Sequence, residues 1–64
     1  MTVKEADALI PGDKAITFNG CYQQNVTVTN IVNDRGVRRI SYEWTNPYGQ
    51  IKTGEKRHTS VYLD

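Results

Sequence analysis

Cys21 and His58 are the single cysteine and the single histidine in a chain of 64 residues. With Asp13 or Asp64 they are the only side chains from which a nucleophile, a base and an orienting carboxylate could be assembled. One cysteine makes no internal disulfide, and one cysteine with one histidine cannot close a zinc site. Acid pairs such as Asp7 with Asp13, or Glu43 with Glu55, have nothing to set them apart on a chain with 23% charged residues. There is no glycine run to cradle phosphate and no nucleophile elbow, and a domain this small has little room for a water-excluding pocket. The chain therefore reads as a non-enzyme without cofactor or metal, with Cys21 a semi-buried loop thiol and His58 a surface side chain.

The residue types with a spacing worth following are cationic and aromatic. Net charge is only +1, but residues 35–58 carry Arg35, Arg38, Arg39, Lys52, Lys56 and Arg57 against two acids, whereas residues 1–34 carry two basic against four acidic side chains. Clustered cations bind phosphates, and exposed rings such as Tyr22 and Tyr48 stack on bases, which is the chemistry of RNA or DNA binding. Tyrosine and arginine are also the usual anchors of protein interfaces, and mixed charge suits a protein partner better than a polyanion. The leading reading is a non-catalytic protein-interaction module, an accessory subunit or inhibitor docking on a larger protein complex. The alternative is nucleic-acid binding through the basic central hairpin. Under either, the candidate partner-binding residues are Tyr22, Arg35, Arg38, Arg39, Tyr48, Lys52, Lys56 and Arg57.

These residues are positioned by a central meander. Arg38, Ile40, Tyr42 and Trp44 alternate with Arg39, Ser41, Glu43 and Thr45, the period of a strand whose even face is apolar. Asn46-Pro47-Tyr48-Gly49 fits a type I turn, and folding about it sets Trp44 opposite Ile51 and Glu43 opposite Lys52. Upstream, a three-residue connection at Asp34-Arg35-Gly36, with Gly36 left-handed and bulged, sets Val28 against Tyr42 and keeps the core on one face. Three antiparallel strands at about 25–32, 37–45 and 50–55 follow, with Ile31 outward beside Thr29.

Before the meander, Thr2-x-x-Glu5 has capping-box spacing and predicts a short helix or arm that Pro11 ends. A turn at Pro11-Gly12-Asp13 leads into a strand over 14–18 with Ile16 and Phe18 inward. Asn19-Gly20 invites a tight hairpin, but continuing it regularly turns Ala15 and Thr17, not Ile16 and Phe18, toward Val26 and Val28. A bulge or an open excursion between Gly20 and Asn25, with Cys21, Tyr22 and Gln23 near its tip, is therefore expected. Residues 54–58 read as a polar link with room for one helical turn, and 59–63 as a last strand with Val61 and Leu63 inward.

The run Leu9-Ile10-Pro11-Gly12-Asp13-Lys14 into the first strand, the long first loop around Gly20, the meander, and the short link before Val61-Tyr62-Leu63 together resemble the SH3-like small barrels, including the Tudor and KOW types. The likeness is one of layout over most of the chain and implies an all-β, five-stranded SH3-like small barrel with a short N-terminal helical turn; an OB-fold is the structural alternative. Such barrels meet RNA, DNA, peptides or larger complexes through their loops.

Length allows one domain, 1–64, with a modest core. Stability of roughly 3–5 kcal/mol is expected without a staple, so a monomer or weak homodimer is anticipated. The start MTVKEADALIPGD lacks a basic n-region and an apolar h-region, and no stretch approaches a membrane span, which points to a cytoplasmic protein without membrane contact. The size suits a phage-encoded protein directed at a host factor.

Overall fold

The computed structural model describes residues 1–64. Thr2 caps a five-residue helix, α1 (Val3–Asp7): its hydroxyl accepts from the Glu5 N–H at 3.1 Å while the Glu5 carboxylate accepts from the Thr2 N–H at 2.8 Å. The Asp13 N–H donates to the Ile10 carbonyl, and Gly12 takes φ of 102°, so Ile10-Pro11-Gly12-Asp13 is a type II turn. The Asp13 carboxylate braces it by accepting from the Ile10 N–H at 3.0 Å.

Strands β1 (Lys14–Asn19), β2 (Tyr22–Asp34), β3 (Val37–Thr45) and β4 (Ile51–Arg57) follow, then a one-turn 3₁₀ helix (His58–Ser60) and β5 (Tyr62–Leu63). They form one antiparallel sheet in the order β4-β3-β2-β1-β5. The chain is thus all-β with one short N-terminal helix. The sheet stays open: β5 is two residues long and covers only Ala15 and Ile16 of β1, and β4 ends the other side unpaired. No helix is long and apolar enough to cross a membrane.

Each of the three tight turns differs from expectation in a way that resets register. Between β1 and β2 there is neither a bulge nor an open excursion. Gly20 takes φ of 62° and Cys21 does not, the pattern of a type II′ turn, and the ladder runs regularly with Ala15 opposite Val26 and Phe18 opposite Gln23. Ala15 and Thr17 are therefore buried, whereas Phe18 stands outward and exposed. Between β2 and β3 the loop is the two residues Arg35-Gly36, both left-handed at φ 54° and 85°, a type I′ turn. The bulge expected at Gly36 lies instead at Thr29, where the register shifts between Val28 and Asn30. Val28 still faces Tyr42, as expected, and the phase change turns Ile31 inward onto the core, not outward. Between β3 and β4, Gly49 is left-handed at φ 81° and the Asn46 N–H bonds the Gln50 carbonyl. The loop is one residue longer than a plain type I turn, so Trp44 faces Lys52 and Glu43 faces Thr53, and Ile51 is exposed.

The core is Ala6, Ala15, Val26, Val28, Ile40, Tyr42 and Val61, with Met1, Leu9, Ile31 and Trp44 packed against it. Tyr42 crosses the interior, where burial raises its phenol pKa against the lowering effect of a hydrogen bond to Thr17 on β1. Its ring lies over Gly54, where an added Cβ would come within 2.9 Å of its Cζ and Oη. Ala15 and Thr17, and not Ile16 and Phe18, point inward because the regular two-residue hairpin sets Ala15 opposite the inward Val26. β4 continues to Arg57 through the stretch expected as a polar link. Leu63, expected inward, is 49% exposed at the end of β5.

Candidate functional site

The candidate residues divide between the two ends of the sheet. Arg35 sits in the β2–β3 turn, with Arg38 and Arg39 just after it and Arg57 opposite Arg39. Tyr22 and Tyr48 lie by the β1–β2 and β3–β4 turns at the other end, 79% and 88% exposed, with Lys52 nearby across from Trp44. Lys56 lies between the groups. The eight therefore make no single patch.

The two arginines at the centre of the basic stretch are already partnered. Arg38 forks onto Asp7, Nε to Oδ1 at 2.6 Å and Nη2 to Oδ2 at 3.1 Å, and its Nη1 donates to Asn33 Oδ1 at 2.9 Å. That bidentate pair holds the Asp7 carboxyl below the usual carboxylate range and raises the guanidinium. Arg39 bridges Asp34 at 2.9 Å and Glu55 at 3.3 Å, which also raises its pKa and relieves the like charge of Arg57 across the strand pair.

His58 is buried, not a surface side chain. Its Nδ1 accepts from the Arg38 N–H at 3.1 Å, so Nδ1 carries no proton and the imidazole positions the start of β3. Cys21 is exposed in the β1–β2 turn, at the opposite end of the sheet, so the pieces of a nucleophilic site are apart. No three His, Cys, Asp or Glu side chains come together in a metal-holding group. The one cavity, about 340 Å³, lies between α1 and the β2–β3 end, with Leu9, Pro11 and Ile31 as its apolar wall and the Asp7, Asn33 and Arg38 cluster as its polar one.

The open side of the sheet, between β4 and β1–β5, carries features of a different kind. Phe18 and Tyr62 meet edge to face with centroids 5.5 Å apart, each nearly half exposed. Lys56 reaches across from β4, its Nζ donating to the Phe18 carbonyl at 2.7 Å. The N–H and C=O of Phe18 point to this side because Asn19 and Tyr22 flank the two-residue turn, which turns the alternate residue away from β2. Likewise, Asn46 and Gln50 form a bonded pair, so Lys52, Gly54 and Lys56 bond toward β3, and Ile51, Thr53, Glu55 and Arg57 turn their backbone groups outward. Sequence reasoning missed Phe18 and Tyr62 as a pair. Asn19-Gly20, followed as a regular hairpin, places Phe18 outward and was the available signal.

Comparison with protein-family models, with curated proteins and with solved structures finds no match for this chain.

Proposed function

We infer that the protein is a non-catalytic binding module of the SH3-like small-barrel type whose partner is another protein. The observation that carries this reading is the contrast between the two surfaces. Arg38 and Arg39 are held by Asp7, Asp34 and Glu55, which neutralises the middle of the basic stretch, while Phe18, Tyr62, Leu63 and Ile51 stand exposed. A phosphate backbone needs unpaired cations, and a protein interface needs aromatic and apolar anchors inside a polar rim. The strand order and the 3₁₀ turn before the last strand support the barrel-like reading.

The test is affinity capture with the wild-type protein and with Phe18→Ser and Tyr62→Ser, alongside binding to short single- and double-stranded DNA and RNA at low and moderate salt. A protein partner held by the wild type and lost by both variants is expected. Nucleic-acid binding that weakens steeply with salt, and that Phe18→Ser leaves unchanged, would overturn the reading in favour of a polyanion ligand.

A further inference from the structure

We propose that the open edge of β4 accepts an extended strand from the partner protein, and that Lys52 and Lys56 select a strand with acidic residues flanking an apolar one. The proposal rests on the protein-interaction reading and names how the partner is held. Ile51, Thr53, Glu55 and Arg57 present outward N–H and C=O groups in the spacing of an antiparallel ladder, the template used in strand addition. Residues facing one another across a ladder share a face, so Lys52, Gly54 and Lys56 lie on the inward face with Trp44, Tyr42 and Ile40.

An added strand would therefore show two side chains to ammonium groups and, between them, one to the rim of the Tyr42 ring that covers Gly54, next to Trp44, whose ring centroid is 5.8 Å from that of Tyr42. Carboxylates fit the first two places, the one at Lys56 drawing that ammonium from the Phe18 carbonyl it bonds in the free protein, and an apolar side chain the third. A second copy of the chain paired in the register centred on Gly54 fits poorly, because Lys52 would lie against Lys56 of the other copy, twice, with like charges directly opposed.

The probe is a capped seven-residue peptide with glutamates at its second and sixth positions, valines at its third and fifth and leucine at its fourth; a control peptide carries lysines for the glutamates. Amide hydrogen exchange of the full chain is followed by NMR. With the glutamate peptide, exchange of the Thr53 and Glu55 amides is expected to slow about tenfold, while Lys52 and Gly54, already bonded to β3, change little. The lysine peptide is expected to have no effect. In the Lys52→Glu, Lys56→Glu protein the preference for the two peptides should reverse. Thr53→Pro should abolish protection, because it removes an outward N–H at an edge position where proline is tolerated.

No protection at Thr53 and Glu55, or equal protection by both peptides, overturns the proposal. A protein partner that Phe18→Ser loses but Thr53→Pro retains also overturns strand addition, yet leaves the interaction module standing. Capture of no partner, together with salt-sensitive nucleic-acid binding, removes the module reading itself.

Discussion

Arg38 and Asp7, 31 positions apart in sequence, are joined by two parallel hydrogen bonds of 2.6 and 3.1 Å, so the first turn of the chain is fastened to the strand that opens its basic half. The pair gives a pH prediction with a definite sign. The folded-state pKa of Asp7 lies below its ordinary value of 3.8, so its contribution is present above the unfolded pKa and is lost as pH falls through the folded one. Asp7→Asn should be less stable than wild type at neutral pH, and the two melting temperatures should converge below about pH 4. A gap that stays constant down to strongly acid pH would show that the ion pair is not its source.

His58 is a buried acceptor, and replacing it tests that role. His58→Leu leaves the Arg38 N–H without its partner, at a cost of about 1–3 kcal/mol, whereas His58→Asn keeps an oxygen near the place of Nδ1 and should recover part of the loss. Thermal unfolding should put the leucine variant roughly 5 °C or more below wild type. Equal destabilisation by both variants would mean that ring packing, not the hydrogen bond, is what His58 supplies.

Tyr42 and Gly54 should behave as a unit. An alanine at 54 meets the Tyr42 ring at 2.9 Å, and forcing the ring aside is expected to cost about 1–3 kcal/mol. In a Tyr42→Leu background, which has its own cavity cost, Gly54→Ala should cost clearly less. Additive losses in the double-mutant cycle would contradict the steric account.

Where the sequence was legible, and where it was not, follows from what each signal measures. Alternation from Ile40 to Trp44 identified β3 and its inward face because burial acts on side chains of that strand alone. The capping box of Thr2 and Glu5 was equally local and equally readable. The inward face of β1 was misassigned because Ile16 and Phe18 are more apolar than Ala15 and Thr17. What decides the matter is the register of the β1–β2 hairpin, which sets Ala15 opposite Val26 and so fixes the inward face of the strand whatever the apolarity of its side chains. At the β3–β4 turn, Asn46-Pro47-Tyr48-Gly49 named the right residues, but the left-handed Gly49 added a bulge and moved every later pairing by one. The candidate site was read from cations, and charge in a sequence does not reveal that Asp7, Asp34 and Glu55 lie within reach of Arg38 and Arg39. The Phe18–Tyr62 pair was missed through the same inversion of β1.

Thr29 contributes no pairing of its own. Val28 and Asn30 face Tyr42 and Ser41, which are consecutive, so a chain lacking Thr29 could keep every cross-strand partner and every inward residue. What it would lose is the added local twist of the bulge. We expect a Thr29 deletion to retain the Val28–Tyr42 and Ile31–Ile40 contacts by NMR while weakening that between Tyr42 and Thr17; loss of the strand pairs themselves would contradict this. Curvature in this sheet is thus written as chain length, by one surplus residue in the longest strand, so a single-residue deletion there is a change of shape and not of topology.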